Sequence, residues 1–228
     1  MPSQPTHIRR TVAQARRWVR QHELWRDGET VVAACSGGLD STAMVGLLTL
    51  LAPSLGHSVA VAHVDHQLRT GSADDATTAS DLADRFGVPF AIRRLQLATG
   101  ANLQARARTA RYDALASMLA ELNGAAIATA HHADDQAETF LMRACRGAGA
   151  AGLAGARPKR GSVVRPVLHL KRAQLREIAV FMGLQWREDP SNADQRYTRN
   201  GVRHEVLPRL ESAISDAVAG LARSAENL

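Results

Sequence analysis

Short apolar runs alternate with amphipathic stretches along this chain, and polar residues gather directly after the runs. TVVAAC (30–35), SVAVAHV (58–64), PFAIRRL (89–95) and AAIATA (125–130) are brief and rich in small or β-branched residues. That is the pattern of strands covered on both faces, as in a parallel sheet. Helical periodicity fills the intervals. Residues 11–25 form a helix that turns Val12, Trp18, Val19 and Trp25 inward, and 41–51, 73–86 and 134–145 also read as helices. Tyr112, Leu115, Leu119 and Leu122 mark a helix over 102–122, with Gly124 as its stop. Residues 146–161, rich in glycine and basic residues, read as a loop, and VVRPV (163–167) as an edge strand limited by Pro166. Leu175, Ile178, Ala179 and Met182 form one stripe over 171–182, and the stretch 204–228 is mostly helical.

Strand-then-helix order predicts an α/β domain with an open parallel sheet and helices on both faces. We expect residues 1–210 to form this domain and 211–228 a C-terminal helical extension. Ligands of such sheets collect at the carboxyl ends of the strands. The first, second and fourth runs end in SGGLDS, HVDH and HHADDQ, so these polar groups should meet in space.

ACSGGLDS (34–41) is the most specific of them. Two glycines after a strand let the backbone turn sharply and leave room for a bulky anion. The free N–H groups of the following helix point at that space. Ser36, Gly37, Gly38, Leu39 and Ser41 would form the cradle. Asp40 conflicts with a bound phosphate unless a magnesium ion bridges the two. The stretch has neither the GxxxxGK[ST] nor the GxGxxG pattern, so it is no Walker loop and no dinucleotide fingerprint. The whole string resembles the PP-loop of the ATP pyrophosphatase superfamily, a Rossmann-like fold. That resemblance implies ATP cleavage between the α and β phosphates.

Other residues offer candidate chemistry with plainer alternatives. Strand alternation puts His63 and Asp65 on one side, facing ribose, adenine or metal, or else leaves His63 a satisfied core residue. Asp134, Asp135 and Glu138 crowd a helix start; they either hold a cation or match the helix dipole. Of His131 and His132, neighbours in sequence, one is expected to reach the substrate. Arg108 and Arg111, three apart on a helix, can share one anionic target. Arginines run without an acid over 93–111, and basic residues do so over 157–172.

HVDHQLR (63–69), NLQARARTARY (102–112), HHADDQAETFLMRACRGAG (131–149) and DPSNADQRYTRNGVRHEVLP (189–208), with the SGG loop, together resemble the tRNA(Ile)-lysidine synthase family. The resemblance runs from about residue 30 to 210. It implies an enzyme that adenylates O2 of a wobble cytidine with ATP and then joins free L-lysine at C2, releasing AMP. It implies catalytic roles for Asp40, Asp134, Asp135, His132, Arg108 and Arg111. ATP would be held by residues 36–41 with His63 and Asp65, and Mg2+ by Asp40 and Asp135. RNA contacts would come from Arg157, Lys159, Arg160, Arg165, Asn192, Arg196, Arg199, Asn200 and Arg203. The chain departs from the family at Gln104, where glutamate is usual, at Cys35, where a small apolar residue is usual, and at Gly201, often basic or polar. Many members continue into further tRNA-binding domains, whereas this sequence stops at Leu228. A homodimer or a separate RNA-binding chain is one way to supply those contacts. Three rival readings remain: a PP-loop tRNA thiolase, although Cys35 and Cys145 form no CxxC pair, a different adenylating ligase acting on a small molecule, and an RNA-binding module without catalysis.

Charge supports a polyanionic partner. The formal charge is +6 and the sequence pI is about 10.3, and Lys159 and Lys171 are the only lysines. Arginine presents a donor fork suited to phosphate, although a high-GC genome also favours arginine codons. No stretch is long and apolar enough for a membrane span, and the arginine-rich start has no apolar signal core. Two distant cysteines fit reduced thiols, so a cytoplasmic setting is expected.

Overall fold

The computed structural model describes residues 4–67, 72–96, 100, 102–188 and 198–228. Its elements run α1 (Thr6–Gln21), β1 (Thr30–Ala34), α2 (Leu39–Leu55), β2 (Ser58–Asp65), α3 (Ser72–Phe86), β3 (Phe90–Arg94), α4 (Leu103–Glu121), β4 (Ala126–Ala128) and α5 (Ala133–Ala144). There follow α6 (Ala150–Leu153), β5 (Lys159–Arg160), β6 (Val163–Val164), α7 (Arg172–Phe181), α8 (Thr198–Gly201), a π-helical turn (Val202–Val206), α9 (Leu207–Ala213) and α10 (Ala217–Glu226).

The sheet order is β3-β2-β1-β4-β6-β5, parallel except for the antiparallel β5–β6 pair. Period-2 alternation divides the core. Val31 and Ala33 of β1 face the cluster built with α1, α2, α3 and α7, whereas Val32 faces Leu115 and Met118 of α4. The predicted α/β sheet with helices on both faces is therefore present.

Three expectations need correction. VVRPV is not an edge: β6 lies between β4 and β5, and it stops at Val164, before Pro166 removes an N–H. The span 146–161 is not only loop, because α6 and β5 lie within it. Gly124 is not the left-handed stop of α4; Asn123 takes that conformation, at φ 50°. Gly124 is needed for a different reason. A Cβ there would lie 2.5 Å from Val32 Cγ2.

One half-buried histidine with shielded ring nitrogens carries a stability prediction. His169 stacks on Trp18 with ring centroids 4.6 Å apart, and neither of its ring nitrogens meets a protein partner. Burial, aided by the nearby His22, pushes its pKa down to about 3. The unfolded chain binds that proton near pH 6.5. Stability from this site is thus full above about pH 6.5 and falls as pH drops towards 3, by up to about 1.4 kcal/mol per unit. His169→Phe keeps the stacking and should flatten the denaturant-derived stability slope between about pH 6 and 4 by about one proton. An unchanged slope would refute this source of acid sensitivity.

Candidate active site

β1 delivers the chain into the SGG turn, and α2 carries it away. Gly37 sits at φ 81°, and a Cβ on it would lie 2.9 Å from the Asp75 carbonyl oxygen, so only glycine fits. Gly38, extended at φ −83° and ψ 165°, precedes the first turn of α2. Ser41 Oγ accepts the Ser36 N–H at 3.1 Å, lies 3.1 Å from Ser36 Oγ and donates to Gly38 O at 3.0 Å. Ser41 therefore holds the turn in shape, and the turn leaves α2's first N–H groups facing outward. From the other side, the Arg187 N–H donates to Gly37 O at 2.9 Å, and the Arg187 guanidinium pairs with Asp74 at 3.1 Å.

A cavity of about 920 Å³ opens over this turn. Its walls include Ser36, Gly38, Leu39, Asp40, Ser41, His63, Asp65, Arg108, Arg111, His131, Asp135, Arg172, Arg187 and Arg199. Most of the residues expected at the site are thus brought together. His63 is buried with Nδ1 2.8 Å from Cys35 O, and the Asp65 carboxylate accepts the Gln67 N–H at 2.9 Å. Arg108 and Arg111 flank the Tyr112 ring, their guanidinium carbons 5.1 and 5.5 Å from its centroid.

Three carboxylates converge on His132, which is buried at the start of α5. Its Nε2 lies 3.6 Å from Asp40 Oδ2 and 3.5 Å from Asp135 Oδ2, and its Nδ1 lies 3.4 Å from Asp134 Oδ2. Burial opposes a charge on the ring, but Asp135, Asp134 and Asp40 together overcome it and raise the pKa to about 10. The same contacts hold Asp40 and Asp134 below the usual carboxylate range against their own burial. His132 at neutral pH is therefore an imidazolium that neutralises part of the acid cluster. His131 behaves in the opposite way. Burial, with Arg165, Arg111 and Arg108 nearby and Asp135 opposing them, lowers its pKa to about 4, so it is neutral.

Neither His132 nor Asp134 is part of the cavity wall. The Asp134 carboxylate accepts the Arg172 N–H at 2.8 Å and so braces the start of α7. Sequence reading missed one contributor, Arg172, and for Glu138 left a cation site and the helix dipole as the alternatives. Arg172 Nε meets Asp40 Oδ1 at 3.1 Å, across most of the chain, and no local signal marks it. Glu138, fully buried, accepts hydrogen bonds from Arg199 Nε, at 2.6 Å, and from Arg203 Nε. Both arginines also reach Asp135, at 2.8 and 3.0 Å. The spacing of Asp135 and Glu138 on one helix, opposite arginines four apart, is a signal that was available.

The expected RNA-contact residues separate. Arg157 and Arg160 are exposed. Lys159 Nζ donates to Glu23 O at 2.7 Å. Arg165 is buried and donates to Arg157 O, so it does not belong to a surface patch. Arg203 is largely enclosed by its pair with Glu138, and Asn200 is half-buried beside it. Asn192 and Arg196 lie outside the described residues.

Magnesium suits this oxygen set. Asp40 and Asp135 both face the cavity, and each has an oxygen within 3.6 Å of His132 Nε2. One or two carboxylates plus substrate phosphates are how this ion is usually held.

A glycine turn at a strand's carboxyl end, with carboxylates and guanidiniums around a cavity, defines a nucleotide-handling α/β domain. The family model described as a PP-loop domain matches residues 7–210. A tRNA(Ile)-lysidine synthase of Pseudomonas aeruginosa is 41% identical over 209 residues, covering 90% of this chain and 47% of that protein. One of Salinispora tropica is 42% identical over 223 residues, covering 94% of this chain and 67% of that protein. The chain belongs to the tRNA(Ile)-lysidine synthase family of PP-loop proteins. It spans about half the length of the Pseudomonas aeruginosa relative. Among solved structures, the U34-tRNA thiolase NcsA from Methanococcus maripaludis superposes with a TM-score of 0.77 at 17% identity, over 95% of this chain and 78% of that one. The NMN synthetase from Francisella tularensis does so at 0.59 and 12%, over 96% and 93%. At such identities these two share the fold.

Proposed function

We propose that the chain ligates lysine to the wobble cytidine of a CAU-anticodon isoleucine tRNA, using ATP and giving lysidine. The observation that carries the reading is the meeting of the SGG turn with Asp40, Asp135 and Arg172 in one cavity, which the family relationship supplies with a substrate. In the first step cytosine O2 attacks the α-phosphorus, the Pα–O–Pβ bond breaks, and pyrophosphate leaves. Charge grows on phosphate oxygens, and the α2 N–H groups with Ser36 meet it. Magnesium, when bound, would supply Lewis acidity at those oxygens, with Asp40 and Asp135 as its protein ligands. In the second step the neutral lysine amine attacks C2, the C2–O bond breaks, AMP leaves, and the amine gives up a proton.

That proton needs an acceptor, because an unperturbed lysine amine has a pKa of about 10.4. Of the two adjacent aspartates, Asp135 faces the cavity and Asp134 braces α7, which favours Asp135 as the group that orients the ammonium, while the released proton passes to solvent. Arg108 and Arg111 line the cavity and would meet the RNA phosphate or the adenylate. Arg157, Lys159 and Arg160 lie on the protein's outer edge at β5, where a phosphate backbone can reach them. A thiolase reading is less well supported: Cys35 is buried, and burial raises its pKa, while Cys145 is exposed beyond α5. No described helix is long and apolar enough to cross a membrane, and we place the reaction in the cytoplasm with its tRNA substrate.

The test combines purified protein, magnesium-ATP, free lysine and the CAU-anticodon isoleucine tRNA, and reads the digested nucleosides by mass spectrometry. A lysine mass added to cytidine, dependent on both lysine and ATP, is the expected result. Sulfur incorporation with a sulfur donor, or no adenylated RNA with either the tRNA or its anticodon stem-loop, would overturn the proposal.

A further inference from the structure

α1 contains Arg9, Arg10, Arg16, Arg17 and Arg20 and no acidic residue. All five side chains are exposed. At about 100° per residue they fall within about a third of the helix circumference, along an axial length of about 16 Å. The opposite face, Ile8, Thr11, Ala15, Trp18 and Val19, is buried in the core. Arg9 donates to Thr6 Oγ1 at 3.3 Å and Arg20 to Ser54 O at 3.3 Å. None of the five meets a carboxylate among the described residues.

Five like charges on one helix face repel one another, and among the described residues no carboxylate pairs with them. We infer that this face of α1 is a docking surface for the sugar–phosphate backbone of RNA, separate from the residues assigned to RNA above; the inference rests on the proposed RNA substrate. Two observations select RNA over an anionic membrane. An amphipathic helix binds a bilayer by inserting its apolar face, and the apolar face of α1 is already committed to the core. The cations are all arginine, whose planar fork matches phosphate oxygens in pairs. The surface positions the RNA and does not read its sequence, because phosphate contacts carry no base information.

The test measures tRNA affinity over a salt titration for the natural protein and for a variant with all five arginines replaced by glutamine, a comparable helix former. Loss of three to five phosphate contacts should lower the magnitude of the log K against log[salt] slope by about 2–4 and weaken binding at low salt by roughly 10–100-fold. A five-lysine variant should keep the natural slope, which separates charge from folding. The paired variants Arg9→Gln/Arg10→Gln and Arg16→Gln/Arg17→Gln should each give part of the change, so the outcome stands even if the fivefold variant misfolds. ATP binding should be unaffected in all of them. Unchanged slopes in the glutamine variants would overturn this surface while leaving the proposed reaction intact. Failure of the natural protein to bind the tRNA at all would overturn the RNA reading itself. Arginine-dependent binding to phosphatidylglycerol vesicles, with tRNA affinity unchanged, would assign the face to a membrane and refute the inference.

Discussion

Replacing Asp40 by alanine is expected to lower ATP-dependent pyrophosphate release by about 100-fold or more. Asp40 follows the glycine turn directly, faces the cavity, and keeps its negative charge through His132 and Arg172 despite its burial. Removing it takes away both the proposed magnesium ligand and the counter-charge for Arg172. Asp40→Asn is the sharper variant. It keeps the shape and an acceptor for Arg172 Nε but discards the charge. Thermal melts should show both variants folded, and single-turnover assays should show the adenylation step slowed in both. A folded Asp40→Asn protein with near-normal pyrophosphate release would end the assignment of Asp40 to metal and phosphate charge.

Glu138→Ala should cost about 3–5 kcal/mol of stability, the usual penalty for breaking a buried ion pair from one side. Glu138 is fully buried, and it anchors Arg199 and Arg203 from a segment more than sixty residues away. Without it, Arg203 would keep only Asp135 as an ion-pair partner among the described residues. The α8–π-turn segment would then lose its main tie to α5. Urea denaturation gives the stability, and a double-mutant cycle with Arg203→Ala gives the coupling. A loss below about 1 kcal/mol, or strict additivity in the cycle, would show that packing of Leu207 against α5 holds this segment without the ion pair.

β1, β2 and β4 could be read from the chain because each is buried on both faces, so hydrophobicity alone marks it. TVVAAC and SVAVAHV became β1 and β2 within one residue at each end. β6 could not be placed the same way. Two residues carry too little pattern to reveal an edge, and its neighbour β5 is a lysine–arginine pair with no apolar character. The SGG turn was legible for a local reason: its glycines and serines act on one another within six residues.

The sequence by itself determined the fold class, the phosphate turn and the identity of its acids, because each depends on periodicity or on neighbours along the chain. Only the tertiary structure decided how those acids divide. Asp134 and Asp135 are adjacent and chemically alike, yet one caps α7 and the other faces the cavity, since successive residues at a helix start project in different directions. The partners of Asp40 and Glu138 come from α7 and from α8 with the π-turn, at separations for which no spacing rule exists. The protonation of His132 was likewise beyond sequence. It depends on three carboxylates meeting around one buried ring, and in water the same imidazole would be mostly neutral at pH 7.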